Sequence, residues 1–302
     1  MRISRRTCLV AAIGLPAAGA AATLALRKRA QRGPTVIHEY LIDHSRVVES
    51  NGLPGHATGD FPNAHDPVGI RSQHYHFEMP RRPSPAKNPV PLGFWLFGVA
   101  INGVPFDPSG PFWNRDARSG WQFEVLCPTN AVALGIDVNR AHVQGRGRYH
   151  YHGLPTGLLW DVKRRDPART MALLGHAADG HPIYGPEAPS RADDPNSPLT
   201  RLRSSFRVRS GRRPGGPGGR HDGTFVEDHE YVPGLGDLDE CNGRRGPTPE
   251  YPDGTYYYVL TDDFPYVPRS FRGAPDPTFR HGPPPGVSPP LPSELRNYRG
   301  VG

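Results

Sequence analysis

RAHVQGRGRYHYHG, Arg140–Gly153, decides the reading of this 302-residue chain. On a strand, residues two apart project from one face at roughly 7 Å spacing, so His150 and His152 share a face while Tyr149 and Tyr151 share the other. Gly145-Arg146-Gly147 supplies the residues of a three-residue hairpin loop. With that loop, Gln144 pairs with Arg148, Val143 with Tyr149, and His142 with His150. Directly opposed residues have β-carbons roughly 5 Å apart, near enough for imidazoles to share one ion at about 2.0–2.1 Å per bond. A two-residue loop would turn His142 to the wrong face. The pattern points to a metal site on His142, His150 and His152. The competing reading is a polar interior in which these side chains bond to each other or to backbone.

Working outward, 36 Gly and 37 Pro oppose long helices. Asn-Gly and Asp-Gly pairs begin at Asn51, Asn102, Asp179, Asp222, Asn242 and Asp253, where they supply the positive φ of tight turns. The expected fold is mainly β: a single large domain, residues 34–273, of short antiparallel strands with long irregular loops and few short helices. One such helix is expected near Pro155–Arg164. Strands are expected within Val36–Val48, Ser72–Phe77, Gln122–Ile136 and the apolar run LGFWLFGVAI at Leu92–Ile101. PDGTYYYVLT, Pro252–Thr261, reads as a further strand with Tyr256 and Tyr258 on one face.

LLGHAADGHPIY, Leu173–Tyr184, reads as a second hairpin turning at Asp179-Gly180. A two-residue loop there sets Ala178 opposite His181 and His176 opposite Ile183. Only one of the two histidines then serves a given site directly, and His181 is the candidate fourth ligand. His56 and His65 lie in a Gly/Pro-rich loop, Asn51–Pro67, where solvation is the commoner fate. His74-Tyr75-His76 repeats the alternation but lacks a third partner.

Ser190–Arg220 is polar and rich in Arg, Pro and Gly, which suggests a mobile loop, with the cluster Arg201–Arg213 as a solvated basic face. After it come Glu227, Asp228, Asp237, Asp239 and Glu240. Their hard oxygens would suit Ca²⁺, but the spacing of an EF-type loop is missing. One of them, or Asp179, is a candidate to orient a liganding imidazole from behind and so fix its tautomer. Ala274–Gly302 is Pro-rich and reads as a disordered tail.

Residues 1–33 read as a Tat-type signal peptide or an N-terminal anchor. Ser4-Arg5-Arg6 precedes an Ala-rich apolar run from Cys8 to Leu26, near the length of a membrane span. The expected location is outside the cytoplasm, periplasmic or extracellular, with membrane attachment only through this segment if it stays uncleaved. Charge then loses its apparent meaning. The chain is formally +7, but seven of its 36 basic residues and none of its 29 acids lie in residues 1–33. The remainder is balanced, so the net basic field of a nucleic-acid binder is missing. A small molecule, glycan or peptide is the expected class of partner. Cys127 and Cys241 are left for one disulfide, worth roughly 4–5 kcal/mol on a chain-entropy estimate, or for two separate thiols.

Six segments, in order, carry a family resemblance: ESNGLPGHATGDFPN, INGVPFDP, AHVQGRGRYHYHGLPTGLL, GHAADGHPIYGP, DGTFVEDHEYVPGLGDLDECNGR and PEYPDGTYYYVLTDDFPYVPRSF. Together they span about Val36 to Arg272, and the chain resembles the bacterial YHYH-domain family. The resemblance implies a domain and an exported setting, without an established mechanism. The chemistry rests on the residues: zinc or copper on imidazoles, with an open fourth position suited to metal-dependent hydrolysis or oxidoreduction. The alternative is a structural or glycan- or protein-binding β module of the cell envelope. The chain has no G-x-S-x-G elbow and no H-E-x-x-H pair, which argues against serine-hydrolase and zincin chemistry.

Overall fold

The computed structural model describes residues 33–280 apart from Arg169. The expected signal or anchor segment, apart from Gly33, and most of the expected tail lie outside the described residues. Three antiparallel strands come first: β1 (Ile37–Ile42), β2 (Ser45–Ser50) and β3 (Tyr75–Pro80). β4 (Pro85–Pro91), β5 (Gly98–Ala100) and β6 (Pro105–Phe106) follow. Helix α1 (Pro128–Ala133) leads into the hairpin β7 (Ala141–Gln144) and β8 (Arg148–Tyr151), and helix α2 (Thr156–Arg165) leaves it. Then come β9 (Leu173–Ala177), β10 (Pro182–Tyr184), β11 (Glu187–Pro189), β12 (Leu199–Arg201), β13 (Phe206–Val208) and β14 (His229–Tyr231). β15 (Gly243–Thr248), β16 (Tyr251–Val259) and β17 (Ser270–Gly273) close the order.

The fold is mainly β, as expected. Eight strands form one sheet in the order β15-β16-β10-β9-β5-β6-β8-β7. Its pairings are antiparallel except β10 with β16 and β6 with β8. The hairpin therefore lies at one end of the sheet, with β7 as the edge strand. Its register is the expected one: His142 opposes His150, Val143 opposes Tyr149 and Gln144 opposes Arg148. Gly145 and Gly147 take positive φ in the loop, at 55° and 89°, a conformation that only glycine adopts without cost.

Alternation then sorts the motif between two environments. Ala141, Val143, Tyr149 and Tyr151 point into the largest apolar cluster, with Phe106, Leu154 and Leu158. Both tyrosine hydroxyls are satisfied there. Tyr149 donates to Asp137 Oδ2 at 2.7 Å, and Tyr151 is 2.5 Å from His56 Nε2 while accepting from Asn102. The tyrosines anchor the hairpin, and the histidines are left on the other face. His56 is thus an anchor for Tyr151 rather than a ligand.

Several local expectations are corrected. Gln122–Ile136 holds helix α1, which starts with Pro128 at its first turn, a position that suits proline's fixed φ. Leu92–Ile101 is largely buried, but only Gly98–Ala100 runs as strand. In the second hairpin Pro182 opposes His176 and Ile183 opposes Gly175. The loop is Ala178-Asp179-Gly180, one residue longer than expected, because the Asp179 carboxylate is drawn inward by Tyr258 Oη at 2.5 Å and the Gly273 N–H at 2.8 Å.

The polar stretch Ser190–Arg220 is built structure, carrying β12 and β13. Arg213 is buried inside it, donating to Asp228 at 2.6 and 2.7 Å and to Asp222 at 2.5 Å. Burial pushes the Asp228 carboxyl up, but Arg213, His221 and backbone N–H donors outweigh it and hold the group down at about 2. The expected tail is docked through Arg280: Phe279 is fully buried, stacks on Phe77 at 4.6 Å, and its carbonyl accepts from the Leu96 N–H.

Candidate metal centre

His142, His150 and His152 come together on the hairpin. One ring nitrogen from each lies within 4.8 Å of the others, and among the described residues this is the one such group of His, Cys, Asp or Glu side chains. The ring centroids are 4.8, 5.0 and 4.6 Å apart, with interplanar angles of 64°, 63° and 62°. The three rings are thus nearly equally spaced and nearly equally tilted to one another. All three are buried, at 9, 4 and 1 % exposure.

Two of the rings are oriented by backbone. His142 Nδ1 lies 3.0 Å from the Leu134 carbonyl, and His150 Nδ1 lies 3.1 Å from the Arg148 carbonyl. A carbonyl only accepts, so each Nδ1 carries the proton and each Nε2 keeps its lone pair, the tautomer a metal requires. Among the described residues, neither ring nitrogen of His152 has a hydrogen-bond partner. A buried polar group left so costs about 1–3 kcal/mol, and native interiors rarely tolerate it without another use.

Carboxylates stand beside the triad, though not those the sequence suggested. Asp66 Oδ2 is 3.8 Å from His142 Nδ1 and accepts the Val143 N–H at 2.9 Å, capping the open edge of β7. Asp107 follows Phe106, which pairs with Tyr151, so it lies on the histidine side of the sheet and raises the proton affinity of all three imidazoles. Burial outweighs these charges. It lowers the proton affinity of His142, carries His150 down to about 3 and holds His152 well below the ordinary value. The site at neutral pH is three uncharged imidazoles flanked by two buried acids. Both acids belong to Asp-Pro dipeptides in loops, Asp66-Pro67 and Asp107-Pro108, a sequence signal too common to single them out.

Two of the three histidines, His142 and His152, line a cavity of about 700 Å³ together with Asp66, Asp107, Phe94 and Phe112, among others. This volume is typical of small-molecule sites.

The remaining candidates lie elsewhere. His181 sits between β9 and β10, strands that β5 and β6 separate from β8; its ring packs against Tyr256 at 5.1 Å and Tyr258 at 6.0 Å. It is no fourth ligand of the triad. Asp179 binds Tyr258 and Gly273, Glu227 accepts the Gln122 N–H, and Asp228 holds Arg213. Asp237 accepts the Arg203 N–H, Asp239 binds Tyr256, and Glu240 lies 3.9 Å from Arg272. These acids are committed to hydrogen bonds and ion pairs elsewhere in the fold, and among the described residues they form neither a calcium cluster nor a support for the triad. His76 is likewise spent on Glu49 and Glu78. Cys127 and Cys241 are both free thiols; Cys241 is buried, and burial pushes its proton affinity up to about 12.

The buried histidines make stability depend on pH. His150 and His176 are each lowered to about 3 from 6.5, chiefly by burial. Between those values the unfolded chain binds protons that the folded chain refuses, so their contribution is present above about 6.5 and lost as pH falls toward 3. At about 1.4 kcal/mol per pH unit, each costs the metal-free protein roughly 2 kcal/mol by pH 5. Chemical denaturation of chelator-treated protein at pH 7 and pH 5 is expected to show that loss; equal stabilities would contradict the burial of these rings.

Residues 76–273 match the family model described as YHYH protein. No curated protein and no solved structure matches the chain.

Proposed function

We propose that this chain, which belongs to the YHYH protein family, is a metal-binding protein whose ion is held by His142, His150 and His152. The observation that carries the reading is the convergence of three buried, neutral imidazoles, one of them with no partner in the protein. Zinc and copper are the ions proposed, because imidazole suits both and the affinity order favours copper. Three protein ligands would leave one position of a tetrahedral ion free, and His142 and His152 line a cavity from which a ligand could reach it. Zinc would supply Lewis-acid chemistry for hydrolysis there; copper would supply electron transfer. The reading of the histidines as a hydrogen-bonded polar interior is weakened by His152. Elemental analysis of protein purified without chelators tests the proposal: about one transition-metal ion per chain is expected, and a metal-free protein that takes up neither zinc nor copper would overturn it.

Export belongs to the same proposal and is supported by the twin-arginine start. In a Tat-competent bacterium, exchanging both Arg5 and Arg6 for Lys is expected to leave the protein in the cytoplasm. Unchanged delivery to the envelope would rule this route out.

A further inference from the structure

The imidazole face of the hairpin continues past the histidines. Arg148 lies two residues before His150 on β8, and Gln144 lies directly opposite it on β7. Both therefore project from the metal side, one step of roughly 7 Å nearer the turn, and both line the same cavity as His142 and His152. Among the described residues, the Arg148 guanidinium makes no hydrogen bond or ion pair, and the Gln144 amide makes no hydrogen bond. Other arginines of the interior are committed: Arg213 to Asp228, and Arg269 to Glu124.

A guanidinium without a carboxylate, set on a cavity wall beside an amide donor, is a planar receptor for an oxyanion. Charge points the same way. Arg148 is the one arginine or lysine among the residues that line the cavity. The same cavity is lined by Phe94 and Phe112, in ring contact at 6.2 Å and both only partly buried. Such half-exposed aromatics are the usual lining for the body of a small organic ligand.

We propose that the cavity takes a small organic carboxylate, its metal-binding atom at the open position of the triad, its carboxylate on Arg148 and Gln144, and its apolar body against Phe94 and Phe112. The proposal rests on the triad holding a metal. It also explains why the histidine face of the hairpin ends in an uncommitted cation.

Imidazolepropionate and propylimidazole share a metal-binding ring and differ only at the far carboxylate, so calorimetric titration of the full chain with each isolates the second point. On cobalt(II)-loaded protein the propionate is expected to bind at least about tenfold tighter, the scale of a hydrogen-bonded charge. In Arg148→Gln the two affinities should come within about twofold, with cobalt content and propylimidazole affinity unchanged. Gln144→Leu should lower the ratio by about threefold and gives an independent arm should the arginine variant misfold. Equal affinities in the loaded wild type, or a preference that survives Arg148→Gln, would overturn the proposal. Failure to retain cobalt, zinc and copper alike would sink the metal reading instead; the carboxylate preference of the metal-free protein, lost or kept in Arg148→Gln, then decides the anion site alone.

Discussion

His150→Ala is expected to weaken zinc or copper binding by roughly 10²–10³-fold. A closed zinc site contributes about 10–16 kcal/mol of binding free energy, so one imidazole of a small ligand set accounts for about 3–4 kcal/mol. His142→Ala and His152→Ala should behave alike, because among the described residues these three rings are the one group whose ligand atoms all lie within 4.8 Å of one another. His38→Ala is the control: His38 is an exposed residue of β1, in the three-stranded sheet that does not carry the triad. A competition titration against a chromogenic chelator measures all four variants, and near-ultraviolet circular dichroism checks that each keeps its packing. Equal occupancy in His150→Ala and His38→Ala would place the metal elsewhere.

That this site was legible from sequence follows from how locally it is specified. The hairpin needs only period-two alternation and glycines that accept positive φ, and both are properties of a short contiguous segment. The second hairpin has similar local signals, yet its register slipped by one, because what sets its loop is Tyr258 and Gly273, far along the chain, gripping Asp179. His181 stays out of the triad for another long-range reason: β5 and β6 stand between its hairpin and β8. The loop around Arg213 looked solvated because its partner Asp228 lies beyond the segment; the pair becomes internal only when β13 and β14 come together. Asp66 and Asp107 were missed for the same reason. Nothing about an Asp-Pro dipeptide says which strand its loop will cover, and one of these acids serves the edge of β7 while the other follows the strand beside β8. Cys127 and Cys241 had no local constraint at all, and the fold keeps them as separate thiols.

Chelation is expected to abolish metal-dependent ligand binding at the cavity while leaving the protein folded. The triad occupies the face of the hairpin turned away from the main apolar cluster, which is formed without it. The bonds that fix the hairpin do not pass through the metal: Tyr149 to Asp137, Tyr151 to His56, and the Val143 N–H to Asp66. Metal removal therefore withdraws only the linkage contribution, about 4 kcal/mol at a free-metal concentration a thousand times Kd. For a domain of this size that corresponds to a drop in Tm on the order of 10 °C. Thermal unfolding of metal-loaded and chelated protein, followed by near-ultraviolet circular dichroism, measures the difference. Loss of the near-ultraviolet signal on chelation at 25 °C would contradict the open site, because a metal that the fold requires contributes its binding free energy to folding itself; the cavity beside it would then be a consequence of packing and not a place where a ligand meets the ion.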